Sequence, residues 1–559
     1  MGNYTIGLDY GTNSVRCLIV DIKTGKEVGT AVWEYETGEA GIILDNSDHN
    51  LARQNPADYI KGFEITIKEA LVQAKENETG FFPEDIIGMG VDTTGSTPMP
   101  IDINGIPLAM LDKFKDNPNA HAWLWKDHTG HVEAAEITSL AEKERPEYLA
   151  KCGGIYSSEW FFSKILHCLR TDPEVFDAAY SWVEYCNFIP AVLTGNTKPQ
   201  DIKRGRCAAG HKAMFNKDWG GLPAKDFLVK LDPKLGELRE RLFEKTYTSD
   251  TPAGFLTEEW AGKFGLKSGI PVAVGAFDAH LGAVGSGVKK GTLVKIIGTS
   301  TCDILVAPKI KQDVPGICGI VDGSVLPGYL GLEAGQSAVG DIFNWFVNYL
   351  QPGGEKIGTH EQLTEKAAEL KPGQSGLLAL DWNNGNRTIL VDQRLTGLLI
   401  GQTLQTSPAE IYRALIEATA FGALAIIDRF EEYGVMIEEV VNCGGISEKN
   451  ALIMQIYADI TGREMKISRS AQTPALGAAL AASVAAGEDR GGYSNFETAQ
   501  NAMCGVKEKT FKPIPENHKV YKELFRLYMI LHDSFGLQGK ADLSNVMKDL
   551  LKIKESVKL

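Results

Sequence analysis

The sequence predicts an α/β protein of two domains, and three observations lead there. The chain has 559 residues, and one hydrophobic core rarely grows past about 250–300 residues. A strand–turn–strand pattern occurs once in each half. Between these patterns, β-prone runs alternate with amphipathic helical ones.

The first pattern covers Tyr4 to Val20. TIGLD is apolar and β-prone, YGTNS supplies a turn, and VRCLIVD resumes a strand. Leu293 to Val306 reads the same way, with LVKII, GTST and CDILV. The two align at Gly11-Thr12 and Gly298-Thr299, roughly half the chain apart. Duplication explains this, and so would two unrelated hairpins, since Gly-Thr is a common turn pair. Residues 86–103 give a strand, a polar loop and a strand, and residues 270–287 a strand, a break and a small-residue helix start. Residues 407–434 form a long amphipathic helix, with Ser407 placed to cap it, Pro408 at its first position and Gly434 to end it. Residues 439–462 read as a strand, a glycine loop and a helix. GSGVKKG breaks the apolar pattern near 287–291, so the expected domains are 1–288 and 289–559, with a helical tail from about 505.

Composition narrows the class. Hydrophobic residues are 43% and charged residues 23%, as in ordinary globular chains. The net charge of −15 disfavours nucleic acid, because an acidic chain repels phosphate. The nine cysteines include no C-x-x-C pair, which fits reduced thiols in the cytoplasm. MGNYTIGLDYG lacks the layout of a secretory signal. The longest small, uncharged run, Pro474 to Gly487, is shorter than the roughly 18 residues a bilayer span needs, so it reads as a buried helix and no membrane association is expected.

Three polar loops suit phosphate. In DYGTNSVR, a tight turn aims backbone N–H groups at an anion, and Thr12, Ser14 and Arg16 add donors and charge. IGTST offers the same chemistry at 297–301, and CGGISEKN follows a strand and opens a helix. A P-loop, a protein-kinase H-R-D set and a dinucleotide G-x-G-x-x-G are all missing. Asp9 ends a strand before the first loop, where a carboxylate can organise Mg²⁺ through its waters. Asp278 stands at a helix start, where it would serve as a cap or take a proton from an attacking hydroxyl. Polyol-binding candidates are Ser96, Thr97, Lys212, Glu333 and Gln336, with Trp123, Trp125 or Trp160 as an aromatic face. Asp127, His128 and His131 superficially suggest a metal cluster, but they lack a fourth ligand in a segment expected to be exposed.

Taken together, GLDYGTNSVR, GVDTTGSTP, LWKD, GAFDAHLGAVGSG, GTST, EAGQSAVGD, the 397–423 segment, NCGGISEKN and TPALGAA resemble the FGGY carbohydrate kinases. That family is a branch of the actin, hexokinase and heat-shock-chaperone ATPase superfamily. The resemblance implies two RNase H-like (actin-like ATPase) α/β domains around a central cleft, the first mainly for sugar and the second mainly for ATP. It makes Asp278 the general base and Asp9 the residue that organises Mg²⁺. It lines the phosphate path with Thr12, Asn13, Arg16, Gly298, Thr299 and Ser300, and places Gly444, Gly445 and Asn450 near adenosine. Lys212, Glu333 and Ser96 become sugar contacts. Within the family, DTTGSTP, IYSSEWFFSKILH, CAAGHKAMFNKDWGGLP and FDAHLGAVG are most similar to the branch that phosphorylates L-ribulose in L-arabinose catabolism. Xylulose, ribitol or glycerol as substrate, or an actin-like ATPase with none, are the alternatives. Two positions depart from the family: Thr129 stands where many relatives have arginine, and Gln402 where an aliphatic residue is usual. The resemblance also implies a homo-oligomer, with a dimer favoured.

Overall fold

A computed structural model describes residues 3–352, 358–541 and 543–544. The last residues of the expected helical tail therefore lie outside the described residues. The chain forms two compact units. One comprises Met1–Lys289, Gly319–Gly331 and Gln472–Gly505, and the other Lys290–Cys318, Leu332–Ala471 and Val506–Leu559.

The sheet of the first unit runs Pro252–Phe255, Pro271–Ala273, Ile86–Thr93, Tyr4–Tyr10, Ser14–Asp21, Lys26–Glu34. Tyr4–Tyr10 and Ser14–Asp21 form the expected antiparallel hairpin, and Ile86–Thr93 lies parallel to the first of them. Ile6, Leu8, Val15, Cys17 and Ile19 are fully buried along the hairpin. Pro56–Asn77 covers one face, with Asn55 capping it through the Ala57 N–H and Tyr59, Phe63, Ile67 and Ala70 turned inward.

Thr473–Ala486, the small-residue run, is a buried helix of this first unit, although it lies near the far end of the sequence. Its composition permits a very close approach. A Cβ on Gly7 would meet the Ala475 carbonyl oxygen at 1.9 Å, and one on Gly90 would meet that of Ala478 at 1.9 Å. Gly477 fits against Leu281 of the helix Asp278–Gly285 in the same way. Larger residues would hold the helix off the sheet and open voids beneath it.

The second unit repeats the pattern. Thr292–Ile297 and Thr301–Ala307 form an antiparallel hairpin, and Glu439–Cys443 lies parallel to the first strand, with Met465–Ile467 beyond it. A hairpin with a third, parallel strand beside its first strand thus occurs in both units, which favours duplication over two unrelated hairpins. Pro408–Glu432 is the long helix. Ser407 and Glu410 cap it reciprocally, and Gly434 follows its end at φ +82°. Pro515–Gly536 is the helix of the tail, with Tyr521 and Tyr528 buried.

Candidate active site

In the first unit, the turn after Tyr10 is closed by the Gly11 N–H donating to the Ser14 carbonyl at 2.9 Å. Thr12 is held twice: its carbonyl accepts from Gln54 Nε2 at 2.7 Å and its hydroxyl from Trp125 Nε1 at 3.1 Å. Asn13 donates to the Ala40 carbonyl at 2.7 Å, so its amide braces the turn. Asp9 and Arg16 face each other across the hairpin, with Arg16 Nη1 3.5 Å from Asp9 Oδ2. Burial pushes the Asp9 carboxyl up and the Arg16 charge opposes that.

Asp92, the neighbour of Asp9, is a residue that sequence reasoning passed over. It sits directly opposite Asp9 in the parallel register and is fully buried. Among the described residues, neither of its oxygens accepts a hydrogen bond from a protein donor. The Asp9 carboxyl is in reach, and a bond between the two requires one of them to keep its proton. Burial, with the charges of Asp9 and Asp278 added, pushes Asp92 well above the usual carboxylate range. The only hint in the sequence was an aspartate inside an otherwise apolar strand, IIGMGVDT.

Asp278 is the first residue of its helix, and the cap position belongs to Phe277, which makes no side-chain cap bond. Asp278 Oδ1 accepts from the Ala279 N–H at 2.6 Å. Nearby on the chain, His280 and His211 meet Nε2 to Nε2 at 3.0 Å, and His211 Nε2 also lies 3.0 Å from Ser324 Oγ. The sequence reading named neither histidine. Lys212 ends the helix Arg206–Lys212, with its ammonium 5.3 Å from the Trp160 ring centroid and 5.9 Å from that of Phe277.

Ser96 adopts φ +48°, a left-handed conformation that is unusual for a non-glycine residue. The physical support is Lys164, fully buried on the helix Phe161–Thr171. Its Nζ donates to the carbonyls of Ser96 at 2.7 Å, Leu124 at 2.8 Å and Trp123 at 3.2 Å. Glu184 completes the clamp by accepting the Thr97 N–H at 2.9 Å. Burial pulls Lys164 down to about 7 and pushes Glu184 up to about 7.

In the Asp127, His128 and His131 grouping, the carboxylate is already engaged by the protein. Contrary to expectation, Asp127 is fully buried. Its carboxylate is consumed by Arg53, by the Ala52 N–H at 2.8 Å and by the Thr129 hydroxyl at 2.6 Å. Arg53 thus supplies the guanidinium partner of Asp127, while position 129 is a threonine. Trp123 is core, with its Nε1 bonded to the Asn119 carbonyl at 3.0 Å.

In the second unit, Gly298 and Thr299 are exposed and Ser300 is half-buried, in a turn closed by the Gly298 N–H donating to Ser300 at 2.9 Å. The loop that follows Glu333 braces this turn from behind. The Thr299 carbonyl accepts from the N–H groups of Val339 at 2.8 Å and Asp341 at 3.1 Å. The Thr301 N–H donates to the Gln336 carbonyl at 3.1 Å and the Gln336 N–H to the Thr301 hydroxyl at 2.9 Å, while Gln336 Nε2 donates to Asp381 Oδ2 at 2.7 Å and to the Thr419 carbonyl at 2.7 Å. Asp381 Oδ1 in turn accepts from the Tyr528 hydroxyl at 2.9 Å. A relay therefore runs from the tail helix to the turn. Glu333 itself is buried, close enough to Arg387 for their charges to interact.

Gly444 at φ +92° lets the backbone pass Ile297, whose carbonyl oxygen would lie 2.5 Å from a Cβ there. The short helix Gly445–Lys449 follows. Asn450 caps the next helix through the Ile453 N–H at 3.1 Å and donates to Thr364 Oγ1 at 3.2 Å.

Residues 4–285 match the N-terminal domain, and residues 293–486 the C-terminal domain, of the FGGY family of carbohydrate kinases. The chain belongs to this family. It is an ATP-dependent sugar kinase. It is 44% identical to a ribulokinase of Halalkalibacterium halodurans, over 98% of each chain. It is 42% identical to a ribulokinase of Vibrio parahaemolyticus, over 94% of each. Among solved structures, the xylulose kinase of Rhodospirillum rubrum superposes with TM-score 0.78 at 22% identity, over 95% of this chain and 99% of that one. Plasmodium falciparum glycerol kinase with ADP gives 0.75 at 16%, over 94% and 98%. These structures carry the two-domain actin-like ATPase fold of FGGY kinases, and this chain shares it. Among the described residues, no helix is long and apolar enough to cross a membrane.

Proposed function

We propose that this kinase transfers the γ-phosphoryl group of ATP to a terminal hydroxyl of L-ribulose, giving L-ribulose 5-phosphate and ADP. The observation that carries the substrate is the 44% identity to a ribulokinase over 98% of both chains. The first unit mainly binds the sugar, and Ser96, Lys212 and Glu333 are the sugar contacts of this reading. The second unit binds the nucleotide along Gly298, Thr299 and Ser300 and near Gly444, Gly445 and Asn450. Asn450 shapes that region as a helix cap.

Asp278 accepts the proton of the attacking hydroxyl. The new bond forms between that oxygen and the γ-phosphorus, and the bond from phosphorus to the β,γ-bridging oxygen breaks, leaving ADP. The turns at Thr12 to Arg16 and at Thr299 present donors to the phosphoryl oxygens. Mg²⁺ fits the first unit, because Asp9 and Asp92, the latter with oxygens that accept from no N–H group among the described residues, offer only hard oxygen donors. When bound with the nucleotide, it neutralises phosphate charge.

The test is ADP release in the presence of ATP and Mg²⁺ with L-ribulose, D-ribulose, D-xylulose, ribitol, glycerol or no sugar. L-ribulose should give the highest kcat/KM, and turnover without sugar should be small. Equal turnover with every sugar or with none would overturn the assignment. Asp278→Asn should lower kcat by on the order of 10²–10⁴-fold while ATP still binds. Near wild-type turnover in that variant would remove Asp278 from its role.

A further inference from the structure

Asp92 has an environment that calls for a ligand. It is 0% exposed, and neither carboxylate oxygen has a protein donor among the described residues. Buried polar groups are nearly always bonded, and a buried carboxylate costs far more than a neutral group when it is not. The strand could have carried threonine, as it does at position 93.

The direction of the group is set by strand register. Asp9 and Asp92 are paired residues on neighbouring parallel strands, and such pairs present their side chains to the same face. The carboxyl of Asp92 is therefore aimed at Asp9, on the side where Asp278 also acts on it. The cation whose charge acts on Asp92 is Arg16, which is 3.5 Å from Asp9, 34% exposed and engaged with Asp9. One half-engaged guanidinium does not balance the pair once both carboxyls have ionised. A divalent cation with a preference for oxygen does.

We propose that Asp92 is a second carboxylate anchor for the divalent cation that accompanies the nucleotide, sharing with Asp9 the work of holding it. This rests on the kinase reading above and adds a residue to its cation site. On this view Asp9 alone is an incomplete site, and among the described residues Asp92 accepts from no N–H group because the cation supplies its partner.

The experiment uses the full chain with Mn²⁺ and a non-hydrolysable ATP analogue, and reads bound Mn²⁺ by electron paramagnetic resonance. Sugar binding is followed separately by intrinsic tryptophan fluorescence. Asp92→Asn should weaken Mn²⁺ binding by on the order of 10–100-fold, the range seen when groups that tune a metal site are removed. L-ribulose binding without nucleotide should be unchanged. Wild-type Mn²⁺ affinity in Asp92→Asn would overturn the proposal, and so would intact Mn²⁺ binding with loss of sugar binding. If the variant does not fold, the wild-type protein gives the answer. Fe²⁺ loaded in place of Mn²⁺, with ascorbate and peroxide, should cleave the backbone near both residue 9 and residue 92. Cleavage near residue 9 only would refute a shared site. Failure of the kinase reading would show separately, as wild-type ADP release that ignores sugar.

Discussion

Replacing Lys164 by methionine tests how the Ser96 loop, proposed to bind sugar, is held. The side chains are similar in length, so the change removes the donors and keeps the packing. Lys164 is fully buried, and its three bonds at 2.7, 2.8 and 3.2 Å go to the carbonyls of Ser96, Leu124 and Trp123. Each carbonyl left without a donor costs about 1–3 kcal/mol, partly offset because methionine sheds no charge on burial, so a net loss of about 3–5 kcal/mol is expected. Ser96 bears a further consequence. Its φ of +48° costs about 1 kcal/mol or more in isolation. Without the Lys164 bond to its carbonyl, the loop relaxes out of the sugar-binding form. A shift of about 1.4 kcal/mol in that balance is tenfold in binding. Urea unfolding should show the stability loss. Steady-state kinetics should show KM for L-ribulose raised by about tenfold or more, with KM for ATP within about twofold. Equal changes in both KM values, or an unchanged urea midpoint, would refute the argument.

Three further outcomes follow from buried groups. Glu184 keeps its proton in the folded protein up to about 7, against an ordinary value of 4.5, because burial penalises its charge. Between those values unfolding releases a proton, so the folded state loses up to about 3 kcal/mol as pH rises from 4.5 to 7. Glu184→Gln should flatten that part of the stability–pH curve measured by urea midpoints, and an unchanged slope would count against the assignment. Gly90→Ala places a Cβ 1.9 Å from the Ala478 carbonyl oxygen, so the helix must move and stability should fall by about 3 kcal/mol or more in calorimetry. Tyr528→Phe removes the 2.9 Å bond to Asp381 and should cost about 1–2 kcal/mol. Because the relay continues through Gln336 to Thr301, KM for ATP should rise more than KM for sugar. The reverse order would break the proposed link between tail helix and turn.

Much of this protein was legible in its sequence. Apolar, β-prone runs around turn residues marked the hairpins at Tyr4–Asp21 and Thr292–Ala307, and a serine cap with proline and glycine marked Pro408–Glu432. Those signals are local, because strand and helix periodicity and turn chemistry act over a few residues. The turns at Gly11–Ser14 and Gly298–Ser300 could be placed for the same reason: they sit between such elements.

What the tertiary structure alone decided depends on pairing between distant segments. Nothing near Thr473–Ala486 states that its small residues meet the glycines of strands at Gly7 and Gly90. Nothing near Lys164 points to the carbonyl of Ser96, and a lone lysine in an amphipathic helix reads as a solvated one. Asn13 and Asn450 were read as ligand contacts, whereas their amides also hold the backbone of a turn and of a helix start. Asp92 gains its meaning only from register, because sliding the strand by one residue would turn its carboxyl to the opposite face of the sheet from Asp9. The sequence determined which elements form, since each is specified by its own neighbours. The fold determined which charges must share a buried space, since that follows from how the elements are brought together.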